Sequence, residues 1–304
     1  MAETYSILQA ANMRLAFMIE AEIRAQLADM ASIRNQIDFA GNVAGSGSDS
    51  IRLRLASIGA KTPFATASDG SEVTATALSY ATSLLTVGRS ALRYDITDLA
   101  VMTGLGSDLD PFVLGESMAM SAEARIMEVI AATFNGCSNS VGSTGVDMDV
   151  DDFMSALYQL ELTSNQGAFT CALHPRQLAD LQASLRSENN NFLAFSAQTE
   201  SMASIKGQGY SGNLLGVDIF KSAHIPTVNA GADYAGLMFG RGGLAYAIGT
   251  PSPMMGQEFR PAGTPVVVGF QRDESKGLTE IVGHLYCGAS IVEDNRCVKI
   301  VTDA

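Results

Sequence analysis

Tryptophan is absent from the sequence, aromatic residues make up only 7%, and its 304 residues include just four cysteines. Cys137, Cys171, Cys287 and Cys297 are too few and too scattered to frame a disulfide scaffold, which points to a reducing compartment. No uncharged apolar run approaches the ~20 residues that span a bilayer. The longest apolar run near the N-terminus, Leu15 to Ile19, lies between Arg14 and Glu20 and has no small-residue cleavage site behind it, so it does not read as a signal peptide. Charge is also scarce, at 17%, and one-sided: 19 Lys and Arg stand against 32 Asp and Glu, a net charge of -13. Phosphate backbones repel such a chain, which argues against sequence-driven binding of DNA or RNA. The expectation is a soluble protein of a cytoplasm-like environment, with no membrane partner.

The apolar share, 47%, is that of an ordinary folded protein. At ~150 residues per domain the length suggests two domains or one elaborate one. A chain this long buries roughly three quarters of its extended surface and needs no disulfide or metal staple.

Residues 6 to 38 read as helix. Leu8, Leu15, Met18, Ile19, Ile23 and Leu27 recur at steps of three and four, on one face. Glu20 and Arg24 form an i,i+4 pair on another face. Gly41 to Ser50 is a Gly/Ser-rich linker, so the first forty residues read as an arm on a hinge. Ile51 to Leu55 then alternates apolar and basic residues, the period of a strand. Strand character returns at Val73 to Leu78 and Ser83 to Val87, with Asp69-Gly70 as a hairpin turn between. The excursion over residues 51–95 carries little apolar surface for a core of its own. The hairpin is expected to lie on an outside surface, and the arm's apolar face to be covered either by its own body or by a neighbouring molecule.

Asp110 as N-cap and Pro111 at the first helical position open a helix that runs from Phe112 to Phe134 and stops at Asn135-Gly136. Met118, Ala122, Ile126, Val129, Ile130 and Phe134 form its apolar stripe, and Gly115 is its weak point. An α/β module follows. It comprises a helix near Val150 to Leu162, a strand to Leu173, a helix from His174-Pro175 to about Leu185, and strands at Leu214 to Phe220 and Ala235 to Phe239. The last fifty residues are strand-like: Pro265 to Phe270, a long run from Leu278 to Val292, and Cys297 to Val301 after a turn at Glu293 to Arg296.

Enzyme signatures are missing. There is no G-x-S-x-G, Walker loop or H-E-x-x-H. Gly240-Arg241-Gly242-Gly243 lacks dinucleotide spacing and reads as a turn or a pore-facing loop. Asp147, Asp149, Asp151 and Asp152 imitate the start of a calcium loop, but its sixth position is Asp152 and its twelfth is Tyr158. Helix N-terminal acids are the simpler reading. Cys171 and His174 lack the second pair a zinc site needs and read as a buried thiol and a cap histidine. His224, His284 and Cys287 read as structural. No metal or cofactor is expected. One charge pattern stands out: Arg52, Arg54, Lys61, Arg89 and Arg93 fall within the hairpin excursion against only Asp69, Glu72 and Asp95. Either this is a solvated strand face, or the basic excursion lies on an acidic neighbour of the same kind.

The order of elements resembles the major capsid protein of tailed bacteriophages. Ala172-Leu173-His174-Pro175-Arg176-Gln177-Leu178 is similar to the strand and His-Pro helix start of that family's axial domain. Leu215 to Phe220 with Ser222 to Pro226, and Gly240 to Gly249, are similar to later stretches of it. The resemblance implies an α+β fold with an N-terminal arm (1–50), an E-loop hairpin (51–95), a peripheral domain with a long spine helix (96–151 and 251–304) and an α/β axial domain (152–250). It implies pentamers and hexamers that tile an icosahedral virion shell around double-stranded DNA, assembled in a host cytoplasm. Portal, scaffolding and decoration proteins would be the further partners. The subunit-interface candidates are then Arg52, Arg54, Lys61, Phe64, Arg89, Arg93 and Arg241. Some members join an E-loop Lys to a neighbour's Asn. Lys61 is the Lys available in this E-loop, but no Asn or catalytic acid matches, so that chemistry is not carried over. Two other readings stand beside this one: an encapsulin-type nanocompartment shell, and a hydrolase or nucleotide-binding enzyme built around the glycine loop and the Cys171/His174 pair.

Overall fold

The computed structural model describes residues 18–23, 33–43, 48–57, 69–70, 79–102, 111–162, 168–187, 196–197, 209–249 and 266–304. In chain order the strands are Asp38–Asn42 (β1), Ser50–Ser57 (β2), Ser79–Thr86 (β3), Gly88–Thr97 (β4) and Ser140–Val141 (β5). Then come Phe169–Leu173 (β6), Ser196–Ala197 (β7), Tyr210–Leu214 (β8), Val217–Lys221 (β9) and Thr227–Val228 (β10). Asp233–Gly240 (β11), Leu244–Ile248 (β12), Val266–Asp273 (β13), Leu278–Ile291 (β14) and Cys297–Asp303 (β15) complete them. Three longer helices, Pro111–Ala132 (α1), Val150–Leu162 (α2) and Pro175–Ser187 (α3), lie against them.

Among the described residues the strands form three sheets. The first has the order β1-β12-β14-β13, with β4 also on β14. The second runs β5-β15-β11-β6-β9-β8-β7, with β10 on β11. The third is the hairpin β2-β3, in register from Ser50↔Thr86 to Ser57↔Ser79. The chain passes between the first two sheets three times: from β4 to β5 by way of α1, at the Gly240–Gly243 turn, and at the turn Asp294–Arg296 before β15.

Helix α1 is the expected spine. Met118, Ala122, Ile126, Ile130 and Phe134 are buried, and Ala119, Met127 and Ala131 widen the stripe. At 3.6 residues per turn these positions make one broad apolar face. It packs on Val266, Val268, Ile281 and Leu285 of the first sheet. A second core lies between α2, α3 and the second sheet. There Phe153, Leu160 and Leu181 meet Cys171, Ile219, Met238 and Ile300. All five residues of β6 are buried, as a strand paired on both sides and covered on both faces must be.

Several expectations are corrected. The N-terminal segment is not one helix to residue 38. Residues 18–23 are helical, Ile33–Gln36 is a 3-10 turn, and β1 pairs in parallel with β12. So the start of the expected linker is strand. Gly41, at φ 131°, takes the register shift between Phe39 and itself, a backbone state natural only to glycine. Hydrogen bonds from β12 decide this pairing, and local helical periodicity carries no trace of them. Among the described residues, part of the arm's apolar face is covered by the chain itself: Ile19, Ile23, Ile33 and Ile37 belong to the main core, while Met18 is exposed. Glu20, read as the i,i+4 partner of Arg24 on another face, is 3% exposed and accepts a hydrogen bond from the Val268 amide at 2.9 Å. Arg24 lies outside the described residues, as do Asp110, the strand expected at Val73 to Leu78, and Lys61 and Phe64.

Gly115 is a close-approach site. A Cβ there would stand 2.8 Å from the Glu22 Cβ, so the bare glycine lets the N-terminal helical segment cross the spine. The run Leu214 to Phe220 is not one strand. Leu215 and Gly216, at φ 52° and 83°, are a two-residue hairpin loop between β8 and β9. The Asn213 side chain accepts the Gly216 amide hydrogen at 3.0 Å, which supports a left-handed leucine.

Candidate assembly surfaces and the tested chemical sites

The hairpin β2-β3 leaves the body between two anchored ends. At its base Leu85 is fully buried against Ala245 and Ala247 of β12, with Ile51, Leu53 and Val87 alongside. Ser83 Oγ donates to the Ile291 carbonyl at 2.8 Å. Strand alternation then sends the intervening side chains outward. Arg52 is exposed, and Leu84, its register partner, is 56% exposed. The hairpin therefore offers a basic and apolar outer face. Arg54 has its backbone in β2; its side chain lies outside the described residues. The turn at Asp69-Gly70 is present, with Gly70 at φ 78°.

Arg89 and Arg93 sit elsewhere. Both are on β4, which pairs along its whole length with β14 in the body sheet. Arg93 meets Asp95 at 2.5 Å and Glu280 at 3.2 Å, so its charge is spent within the chain. Hydrogen bonding from Arg93 holds the Asp95 carboxyl below its ordinary range. Arg89 donates to His284 Nδ1 at 3.3 Å. The structure thus splits the expected basic set, with Arg52 on the hairpin and Arg89 and Arg93 on the body.

Arg241 is exposed in the turn between β11 and β12, and its carbonyl accepts from Arg296 Nη1 at 2.8 Å. A Cβ at Gly243 would stand 2.8 Å from Cys297 Sγ, so the glycines serve the close crossing between sheets. The loop is a turn, one of the two readings its sequence gave.

The Cys171/His174 pair separates into two structural roles. Cys171 is fully buried, and burial pushes its thiol pKa up, away from thiolate chemistry. His174 caps α3. Its Nδ1 accepts the Arg176 amide hydrogen at 3.3 Å, while its own amide donates to Gln177 Oε1 at 3.1 Å. This is a reciprocal capping box with histidine as the cap. The ring stacks on Tyr234 at 3.7 Å, and burial lowers its pKa, which keeps Nδ1 free to accept. Gln177 is fully buried; its amide donates to Thr302 Oγ1 at 2.8 Å and to the Tyr234 and Ile300 carbonyls at 3.3 Å. The one local sign of this hub is the Q three residues after a cap.

The acidic run serves a helix N-terminus: Asp149 Oδ1 accepts the Asp152 amide hydrogen at 2.8 Å. Among the described residues no group of three or more His, Cys, Asp or Glu is placed to hold a metal ion. A cavity of about 300 Å³ under the spine, lined by Leu92, Met118, Leu285 and Arg125, contains none of Cys171, His174 or the glycine loop. A polar cleft of about 670 Å³ beside β5 and β15 contains none of them either. Among the described residues no helix is long and apolar enough to cross a membrane.

The sequence matches no protein-family model, and no curated protein matches it. The fold does match solved structures. The encapsulin of the holo-SrpI complex from Synechococcus elongatus is 14% identical, with TM-score 0.62 over 89% of this chain and 86% of that one. The capsid of an empty GTA particle is 12% identical, with TM-score 0.61 over 90% of each chain. A structure of Mycobacterium phage Che8 is 16% identical, with TM-score 0.56 over 88% and 89%. At such identities the likeness is one of fold. This chain has the α+β fold of phage capsid proteins, which an encapsulin shares.

Proposed function

We propose that this chain is a major capsid protein, whose copies assemble as pentamers and hexamers into an icosahedral virion shell around double-stranded DNA. The supporting observation is the fold itself, which follows those of capsid chains over about nine-tenths of its length. Ile19, Ile23, Ile33 and Ile37 of the arm are already covered by the chain's own core. The reading therefore rests on the fold and on the exposed Arg52/Leu84 face of the hairpin, which a neighbouring copy would cover. The principal partner is the chain itself. Portal, scaffolding and decoration proteins are further partners of this reading. With a net charge of -13 the shell encloses DNA without gripping it. Assembly takes place in a host cytoplasm, and the role is geometric rather than catalytic.

A second reading, an encapsulin-type compartment, is favoured by the likeness to the Synechococcus encapsulin. One experiment tests both. The chain is purified and taken through size exclusion and negative-stain microscopy. Closed shells are expected, and a 31.9 kDa monomer at every concentration would overturn both readings. Native particles that hold DNA support the capsid; native particles that hold a co-purifying protein support the compartment.

A further inference from the structure

The polar cleft of about 670 Å³ has a lining drawn from four separate stretches of sequence: Asn135 after the spine, Ser140 and the loop behind it, Thr227 with the turn that follows, and Lys299 on β15. Lys299 is the charged residue of that lining, and no carboxylate lines it. Among the described residues no ion pair occupies the Lys299 ammonium.

The walls are fixed from behind. Asp233 is fully buried, and its carboxylate accepts from Asn229 Nδ2 at 2.5 Å and from the Gly145 amide at 2.9 Å. Asn229 Nδ2 also donates to Thr144 Oγ1 at 3.0 Å. One buried carboxylate thus ties together two loops that line the cleft. Asn229 and Ala230 are held at φ 52° and 58°, two of three non-glycine residues in the left-handed region among those described. Gly142 lies so close to Val301 that a Cβ would fall 2.2 Å from its carbonyl oxygen. Strain gathered and locked at one concavity marks a shape held for a purpose.

The free donors there are the Lys299 ammonium, the Ser140 and Thr227 hydroxyls and the Asn135 amide. Several donors around one cation suit the oxygens of a tetrahedral anion, and a charge-assisted bond supplies the strongest contact. We propose that this cleft binds the phosphate group of a small phosphorylated molecule, with Lys299 as its charged contact. A nucleic acid is a poorer fit. Its affinity grows with the number of phosphates neutralised, and this cleft offers one cation.

Isothermal titration of the full chain in low-salt, phosphate-free buffer tests this, with inorganic phosphate, AMP and a short DNA duplex as probes. Saturable one-to-one binding of phosphate or AMP is expected. Lys299→Met should weaken it at least tenfold, and Ser140→Ala severalfold, with unchanged circular-dichroism melting for the exposed Ser140 variant. AMP binding tighter than phosphate identifies an organic phosphate as the ligand, and equal binding identifies free phosphate. No saturation with either probe, equal affinity in wild type and both variants, or tighter binding of the duplex than of AMP overturns the proposal.

Discussion

Arg34 and Glu123 meet at 3.3 Å with side chains only 12% and 9% exposed, joining the 3-10 turn before β1 to the spine helix. Neither Glu123 oxygen has a hydrogen-bond partner, so Coulomb attraction alone offsets the loss of water there. Burial raises the Glu123 pKa from its ordinary 4.5, and Arg34 opposes that rise.

A pH dependence follows from this pair. Above pH 4.5 the unfolded chain releases the Glu123 proton while the folded chain still holds it. This contribution to stability therefore falls as pH rises through the window up to the raised value, and is level above it. Arg34→Met leaves the carboxylate buried and unpaired, and should cost about 3 kcal/mol at neutral pH. Near pH 4.5 the loss should shrink, because protonation relieves it. Urea midpoints at the two pH values measure this, and equal losses at both would contradict it.

Gly115→Ala should behave opposite to helix propensity. In an open helix the change stabilises by about 1 kcal/mol. Here the added carbon would sit 2.8 Å from the Glu22 Cβ. Overpacking of this kind costs about 1–3 kcal/mol. Thermal melting should show a lower midpoint; a higher one would mean that the N-terminal helix does not cross the spine at Gly115.

Gln177→Met keeps the volume and removes the hub. It strips partners from the His174 amide, the Thr302 hydroxyl and two carbonyls. Each orphaned buried group costs roughly 1–3 kcal/mol, so a loss of several kcal/mol in a urea titration is expected. Faster hydrogen exchange at the start of α3 should accompany it.

The cysteines should be silent. Cys137 and Cys287 are pushed up to about 11, mainly by burial, and Cys171 and Cys297 are raised further. At pH 8 a thiol-reactive disulfide reagent should label none of the four in the native chain within minutes, and all four in urea. Rapid native labelling of even one would show that these cores open readily.

Arg52→Glu tests the hairpin's outer face. The side chain is exposed, so the fold should be unchanged within about 0.5 kcal/mol. Shell formation should fall sharply if a neighbouring acidic surface covers that face. Shells that form as well as wild type would place the hairpin's contacts elsewhere.

The spine shows how far the sequence reached. Proline at its start, an apolar stripe at three- and four-residue steps and Asn135-Gly136 at its end are local signals; the α-helix runs Pro111–Ala132, and a 3-10 turn, Thr133–Gly136, closes it. The cap at His174-Pro175 and the long strand β14 were legible for the same reason. Reading Arg89 and Arg93 as hairpin residues failed, because the alternation of β4 continues that of the hairpin with only Val87 between.

What the sequence determined by itself was periodicity, punctuation and charge: which segments coil, which extend, where they stop, and that no membrane-length apolar run or enzyme motif is written into them. Tertiary structure decided what no local pattern encodes. It chose β12 as the partner of β1, buried Glu20 and Glu123 in a core, and brought Asn135, Ser140, Thr227 and Lys299 to one cleft. Backbone pairing and desolvation act between residues far apart in the chain, so their outcome exists only once the chain has closed on itself.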